Sequence, residues 1–496
     1  MFALKRPALL TFLLLIMMNV PNSSAQDAAL ARRLHDAHDA YREPALTHRR
    51  FKHRDIVPLL NALDGQTPLS VSAVGTSLEG RTIYQVRAGT GAKPVLLWSQ
   101  MHGDEATATM ALFDLFNFLK AKNDGFDPLR RQILANVTLY AVPMLNPDGA
   151  ERFVRRTATD IDLNRDALRL QTPEGRLLKQ LQQTLKPLVG FNLHDQNPRY
   201  GVGKTGKQAV VSFLATAYDE ARSLNEVRRR SMQLIVGMNR ALQPLVPGGV
   251  ARYDDEFEPR AFGDNIQKWG TSLVLIESGG YRGDPEKQFI RRLNFVAILT
   301  ALAAIADDTY RQEDVAEYAA IPENGRPLFD LLIRNATVVR DGQPVTVDVG
   351  INRYEVAADS ATRAGGRLFT YRSVIEDLGD LSTFHGLDEL DATGLTLTPA
   401  RLHPDTLTTP ADLRRLDVAA LAREGVVAYR LGPGKRGYVP PQPVHLLRDG
   451  KLPARPLQVG QVPTFLLKAG GQVRAVFVNG FRTDEFDAAG ANGVVD

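Results

Sequence analysis

The chain has 496 residues, 44% of them hydrophobic and 23% charged, which excludes a disordered or fibrous protein. That length exceeds what one ordinary hydrophobic core organises, so two domains are expected. Sixty Lys and Arg residues against 56 Asp and Glu give a formal net charge of +4, too near neutrality to predict a nucleic-acid partner.

The first 25 residues have the pattern of a secretory signal peptide. Lys5 and Arg6 precede an apolar run over 8–20, and the small residues Ser23 and Ala25 close the segment. This order predicts cleavage after Ala25; the alternative is an uncleaved anchor, for which the run is short. We expect a secreted or periplasmic protein, with no membrane attachment after cleavage and no other spanning segment. Because the chain has no cysteine, burial of apolar side chains alone must stabilise it after export.

An α/β pattern follows the leader. Residues 26–65 are rich in charge and histidine and predict one or two surface helices that lead into the first domain. Over 66–315, apolar segments of strand length alternate with segments of helical period. The predicted strands are Pro94–Gln100, Val137–Met144, Leu188–Leu193 and Ser272–Ile276, and the predicted helices are Ala106–Leu119, Pro173–Leu185 and Glu226–Leu242. This alternation predicts an open mixed β-sheet with helices on both faces.

The pattern changes at 316–327, where Ile321–Arg326 (IPENGR) has the composition of a linker. Over 328–496, strand-like segments are separated by Gly and Pro, so we expect a smaller, mainly β accessory domain. The predicted strands there are Leu328–Arg334, Ala336–Arg340, Pro344–Ile351, Thr464–Leu467 and Val473–Val478.

Two histidines and a glutamate stand at the ends of predicted strands. His102 and Glu105 (HGDE) follow the first strand, and His194 ends a later one. Ligands bind at the carboxyl ends of strands in open α/β sheets, and two His with one Glu leave an open position, as in catalytic zinc sites. An isolated H-x-x-E is common by chance, so hydrogen-bonded surface residues are the alternative at this point.

Glu277 is the other strand-end acid, at the end of the apolar run LVLIE. A carboxylate there is costly unless it is paired, solvated or functional.

Between His102 and His194 lie three more polar motifs. They are Asn146–Gly149 (NPDG), Arg155 and Asp162–Arg165 (DLNR).

In this order the motifs resemble the zinc metallocarboxypeptidases, the carboxypeptidase A/B-like family, over about residues 60 to 305. The resemblance implies one Zn²⁺ ion held by His102, Glu105 and His194. It also implies that Arg155 stabilises the oxyanion and Glu277 is the general base and acid. Asn164 and Arg165 match the pair that binds the substrate's terminal carboxylate, for which a guanidinium fork is well suited.

The resemblance also implies a loop tyrosine and a specificity pocket upstream of Glu277. Tyr253 lies near the expected place, although a packed loop aromatic is an equal interpretation. The pocket floor is expected around Phe262–Asn265, where Phe262 favours an apolar C-terminal residue and Asp264 a basic one. A solvated loop is one interpretation of the acidic run at 254–256.

The C-terminal region resembles the small β-sandwich of the amidohydrolase superfamily at 328–351, Leu390–Pro399 and Val473–Asn479. That superfamily's metal-binding H-x-H is missing, because Arg401-Leu402-His403 stands in its place. We therefore expect an accessory domain without its own active site. Its three histidines are interpreted as structural or surface residues; they are His385, His403 and His445.

The sequence predicts a secreted zinc carboxypeptidase that acts on peptides with a free C-terminal carboxylate. One alternative is a zinc amidase or deacylase of the same fold acting on cell-wall peptides or N-acyl amino acids. Another is a catalytically silent peptide-binding protein. The sequence predicts no oligomeric state.

Overall fold

The computed structural model of the protein describes residues 23–326, 328–358, 368–432, 439–448, 451, 457–486 and 491–496. The predicted signal peptide lies outside these residues except for 23–25, so the leader and its cleavage stay predictions. The first described element is α1 (Ser23–Ala37).

The lead-in forms helices, as predicted, but they contribute to the core. α1 and α2 (His53–Leu63) are joined by a segment that buries Leu46 and Phe51 in the same apolar cluster as the main sheet. Buried Asp114 accepts hydrogen bonds from Arg291 and contacts His38 Nε2 at 2.8 Å, which fixes the lead-in to the domain. Residues 26–65 therefore pack as part of the first domain.

Eight strands form one mixed sheet. They are β1 (Leu69–Thr76), β2 (Thr82–Ala88), β3 (Lys93–Trp98), β4 (Val137–Val142), β5 (Val189–Asp195), β7 (Val211–Leu214), β8 (Val250–Arg252) and β9 (Ser272–Ser278), and β6 (Gly201–Val202) stands apart. The order is β1-β2-β4-β3-β5-β9-β7-β8, with β4, β3, β5 and β9 parallel. All four predicted strands are confirmed within a few residues.

Helices cover both faces of this sheet. The remaining ones of the domain are α3 (Thr107–Lys120), α4 (Asp127–Asn136), α5 (Pro147–Arg152), α6 (Pro173–Leu185), α7 (Glu226–Leu242), α8 (Phe262–Lys268), α9 (Gln288–Asp307) and α10 (Val315–Ala320). Along β3, Val95 and Leu97 pack with the α3 and α9 side, whereas Leu96 and Trp98 pack with α6 and α8. This alternation confirms the predicted fold class, because successive strand residues face opposite layers.

The predicted helix start at Pro173 is also confirmed. The Thr172 hydroxyl accepts a hydrogen bond from Gly175 N at 3.0 Å, and Pro173 occupies the first turn. Several elements of the first domain were not predicted, among them the β1–β2 hairpin, whose burial pattern is irregular, and α9.

α9 corrects the expectation that only the leader is apolar enough to span a membrane. Within its 20 residues, an 18-residue window has a mean hydropathy of 1.7, but 78% of that window is buried inside the protein. It packs against α3, α4 and α7 as the central helix of the domain core. A core helix passes a length-and-composition test as readily as a spanning one.

The C-terminal region contains two sheets. The larger comprises β11 (Leu328–Arg340), β12 (Gln343–Ala357), β13 (Phe369–Gly379), β14 (His385–Asp391), β15 (Thr396–Pro399), β19 (Phe465–Ala469), β20 (Gln472–Val478) and β21 (Phe481–Arg482). The smaller is parallel and contains β16 (Arg401–Leu407), β17 (Val426–Leu431), β18 (His445–Leu447) and β22 (Val494–Val495), with helix α11 (Val418–Arg423). The predicted β content is confirmed, whereas the parallel sheet with its helix was not expected.

Two predicted strands are one strand in the structure. The break expected between Arg334 and Ala336 is a bulge within β11, where the register with β12 shifts and Asn335 has a φ of 58°. The proposed likeness to the amidohydrolase sandwich stays a prediction.

The predicted linker pairs with the first domain. β10 (Asn324–Gly325) forms an antiparallel pair with β6, and Glu323 O and Pro322 O accept hydrogen bonds from Gly203 N and Arg252 N, each at 2.7 Å. Residues 322–325 are therefore fixed on the first domain.

Candidate metal centre and cleft

The loop that carries His102 and Glu105 is held by close backbone packing. It leaves β3 at Trp98, and a Cβ added to Gly103 would lie 2.0 Å from the carbonyl carbon of Gly149. Asn146 caps α5 through Gly149 N at 2.9 Å, and its own N donates to Gln100 O at 2.9 Å. The NPDG motif therefore buttresses this loop. Glu105 lies just before α3.

His194 and Glu277 come from neighbouring parallel strands. β5 and β9 pair in a register that places His194 beside Glu277. Both side chains are buried, and both strands end at the carboxyl edge of the sheet, where the loop after β3 also lies. The topology thus brings together residues that are far apart in sequence.

The three predicted ligands converge on one point. His102 Nδ1 lies 2.7 Å from Glu105 Oε1, His194 Nδ1 lies 2.6 Å from Glu105 Oε2, and the two Nδ1 atoms are 3.2 Å apart. Zn–N bonds of ~2.0–2.1 Å place tetrahedral ligands about 3.3 Å apart, so this spacing suits zinc. Among the described residues, this is the one His/Cys/Asp/Glu group whose ligand atoms are close enough to hold a metal.

The electrostatic environment of the three groups favours a cation. Burial disfavours a charged imidazole, but the carboxylates of Glu105 and Asp162 outweigh it and raise the pKa of His102 to about 9. Burial lowers the pKa of His194, and neighbouring His102 acts in the same direction. The carboxylate of Glu105 opposes this shift but does not outweigh it. Despite burial, the two imidazoles hold the pKa of Glu105 well below its ordinary value. The donor set and its charge therefore fit a divalent cation.

Asp162 is a site residue that the motif analysis did not assign. Its Oδ1 lies 3.1 Å from His102 Nε2, and its Oδ2 accepts from Arg155 Nε at 3.1 Å. A carboxylate on the far nitrogen of a ligating histidine fixes the tautomer that leaves Nδ1 free for the metal. The signal was present as the first residue of the DLNR motif, but only the tertiary contact gives it this role.

Glu277 is buried beside the metal ligands, and its Oε2 has no hydrogen-bond partner among the described residues. Burial and the neighbouring Glu105 carboxylate raise its pKa well above the ordinary value. A buried, unpaired carboxylate of this kind suits a group that accepts and returns a proton.

Arg155, Asn164 and Arg165 line the same cleft, which has a volume of about 580 Å³. Arg155 Nη1 donates to Glu105 Oε1 at 3.1 Å, so its guanidinium reaches the metal ligands. Asn164 Oδ1 accepts from Phe262 N at 2.9 Å, which fixes the carboxamide, and Arg165 Nε lies 3.2 Å from Glu258 Oε2. A cation and an amide donor are thus placed side by side on one wall.

Tyr253 also lines the cleft, with its ring 5.9 Å from that of Tyr200 in an edge-on arrangement. Burial and the nearby Glu277 carboxylate raise its pKa, so the phenol stays protonated. The structure brings together all eight residues that the sequence analysis assigned to the site.

Of the two residues considered for the floor of the specificity pocket, Asp264 lines the cleft and Phe262 does not. Phe262 is fully buried in the core cluster beneath α6, whereas Ala261, Gly263 and Asp264 line the cleft. Burial raises the pKa of Asp264 to about 7. The acidic run is not simply solvated, because Asp255 pairs with Arg222 and with buried Arg228 at 2.8 Å each.

The C-terminal histidines have structural contacts. His403 stacks on Tyr429, His445 lies 3.1 Å from Thr464 Oγ1 and 2.7 Å from Asp496 Oδ2, and His385 packs on Gly206. Within the described ranges none of them joins a metal-ligand group.

The mixed sheet, with a His–Glu–His group at its carboxyl edge and a buried glutamate beside it, is the arrangement that the resemblance to the metallocarboxypeptidases predicted. Residues 56–180 match the zinc carboxypeptidase family, which confirms the resemblance that the motifs gave. That match includes His102, Glu105, Arg155, Asn164 and Arg165.

Relatives match part of the chain. A "Probable carboxypeptidase 2" of Trichophyton verrucosum is 26% identical over 214 residues, 42% of this chain and 35% of the relative. "Carboxypeptidase SOL1" of Arabidopsis thaliana is 28% identical over 138 residues, 25% and 28% of the two chains. The chain thus spans about a third of the length of these relatives. A metallo-carboxypeptidase structure from Burkholderia cenocepacia is 19% identical with a TM-score of 0.42, covering 52% of this chain and 70% of that one.

Proposed function

We propose that this protein is a secreted, zinc-dependent carboxypeptidase that removes C-terminal residues from peptides. One observation carries the proposal: the metal-ligand group, Glu277 and the Asn164–Arg165 pair line a single cleft. A metal group alone supports many hydrolases. A guanidinium and an amide beside it select substrates with a free carboxylate.

Each side chain has a role that its surroundings support. Glu277 takes a proton from the attacking water and returns it to the leaving amine, which its raised pKa favours. Arg155 neutralises negative charge that develops on the carbonyl oxygen of the substrate, an effect often worth ~3–4 kcal/mol. Arg165 binds the terminal carboxylate with two parallel hydrogen bonds, and Asn164 adds an amide donor. Tyr253 lines the same cleft and contacts the substrate there.

Zinc held by His102, Glu105 and His194 would supply Lewis acidity, polarising the carbonyl and making water a nucleophile near neutral pH. Asp162 would orient His102 for this ion.

The first test uses the purified protein and a defined mixture of peptides, half with free and half with amidated C-termini. Each is incubated with and without a zinc chelator and analysed by mass spectrometry. We expect chelator-sensitive loss of single C-terminal residues from the free-acid peptides only. No cleavage by zinc-loaded protein would favour an amidase or deacylase, to be tested next on cell-wall fragments and N-acyl amino acids.

The second test is Glu277→Gln, which keeps the size of the side chain but removes the proton acceptor. We expect zinc to stay bound at one ion per chain while kcat falls by about 10²–10⁴. Unchanged turnover would overturn the role of Glu277, and inactivity of the wild-type chain in every assay would favour a binding protein.

A further inference from the structure

Arg326 lines the cleft, although it belongs to the segment that leads to the C-terminal region. Its Nε and Nη2 donate to the hydroxyl of Tyr200 at 3.0 and 2.7 Å, and its guanidinium carbon lies 5.1 Å from the centre of that ring. The side chain is exposed to the open cleft.

The charge of Arg326 is not neutralised by the described part of the protein. No described carboxylate lies within 4.0 Å of it, whereas Arg155 pairs with Glu105 and Asp162, and Arg165 pairs with Glu258. Tyr200 is a neutral acceptor and uses two of the five N–H donors that a guanidinium carries. A full positive charge with free donors therefore faces the cleft.

The position of Arg326 is fixed by its backbone. β10 pairs with β6 immediately before it, and Asn324 Nδ2 donates to the cleft residue Gln196 at 3.0 Å. A cation held in this way loses little entropy when it binds a ligand. Its neighbours, Tyr200 and Tyr253, form a wall that shares no described hydrogen bond or ion pair with the Asn164–Arg165 wall.

We propose that Arg326 binds a carboxylate of the substrate on the N-terminal side of the scissile bond. This rests on the proposed function, because the Asn164–Arg165 wall is taken to hold the terminal carboxylate. A substrate that spans the cleft then meets Arg326 with its preceding residues. The substrate class is a peptide with an acidic side chain or a second free carboxylate upstream of the cleaved bond.

The test uses labelled peptides in pairs that differ only by Glu or Gln at the first, second or third residue before the C-terminal one. Their affinities are measured on the zinc-loaded Glu277→Gln protein, with and without Arg326→Gln, and hydrolysis is measured on the wild-type protein. We expect Glu at one of these positions to bind about tenfold more tightly than Gln, as for a hydrogen bond to a charged group. Arg326→Gln should abolish this preference and Arg326→Lys should keep part of it.

The matched control is Arg282→Gln, which removes a different arginine contact between the two regions, that with Asp388, outside the cleft. It should leave the Glu preference intact. An equal effect of Arg326→Gln on Glu and Gln peptides, or no Glu preference at any position, would overturn the proposal. A Glu preference that depends on Arg326 without hydrolysis of any peptide would support Arg326 and refute the carboxypeptidase proposal.

Discussion

At the scale of single residues, Asp162 is expected to orient a ligand of the proposed metal site. Its carboxylate is shared by His102 Nε2 and Arg155, and Arg155 and His102 hold its pKa below the ordinary range even though burial opposes this. We expect Asp162→Asn to lower zinc affinity by about 10–100-fold, because His102 loses the charged acceptor that orients it. Competition with a chromophoric chelator measures this. Asp160→Asn, an exposed neighbour, is the control, and equal affinities for both variants would refute the role.

Asp264 makes a pH-dependent contribution to stability. Burial raises its pKa to about 7 in the folded protein, against about 3.9 for an unfolded Asp. The folded state therefore binds more protons between these values, so this group costs stability progressively as pH rises from about 4 to 7. Asp264→Asn keeps the oxygen that accepts from Glu258 N and removes the charge.

We therefore expect Asp264→Asn to leave the free energy of unfolding unchanged near pH 4 and to increase it at pH 8. The gain is up to about 4 kcal/mol from the size of the shift. Urea unfolding at the two pH values measures the difference. A variant less stable than wild type at pH 8 would show that the charged form is instead stabilised by partners.

At the scale of elements, the loop that carries His102 and Glu105 depends on contact with α5. Because a Cβ on Gly103 would overlap the Gly149 backbone, we expect Gly103→Ala to displace the loop, lower stability by a few kcal/mol and reduce zinc binding. Gly237→Ala is the control, since nothing lies within 4 Å of its Cβ position inside α7. That change should stabilise by up to about 1 kcal/mol. Thermal melts and metal analysis of both variants provide the measurement.

The elements differ in how well the sequence predicted them. β3, β4, β5 and β9 are buried on both faces, so each is a short continuous apolar run that is easy to recognise. The β1–β2 hairpin was missed because it lies at the sheet edge, and only part of its surface is buried. The bulge at Asn335 has the sequence signal of a strand break, although the pairing with β12 continues beyond it.

At the scale of the whole molecule, ion pairs join the two regions. Glu355 of β12 accepts from Arg49 at 2.6 Å and from Arg50 at 2.8 Å, both in the lead-in. Removing this carboxylate leaves the largely buried guanidinium groups of Arg49 and Arg50 without the acceptor of these hydrogen bonds. We expect Glu355→Gln to destabilise the protein by about 2–4 kcal/mol and to separate the unfolding of the two regions in calorimetry.

Arg282→Gln removes an exposed contact across the same boundary and should cost less than about 1 kcal/mol. Equal effects of Glu355→Gln and Arg282→Gln would show that the Glu355 contacts do not couple the regions.

The sequence by itself determined the buried strands of the main sheet and the chemical types of the site. The sequence predicted three side chains at strand ends, those of His102, His194 and Glu277. This was possible because the spacing of apolar residues and the order of the motifs can be read directly from the sequence. The tertiary structure decided the contacts: the second carboxylate on His102, the choice of Asp264 over Phe262 in the cleft, and the entry of Arg326 from the linker. These depend on which surfaces pack against each other, and residues joined by packing need no proximity or pattern in the sequence.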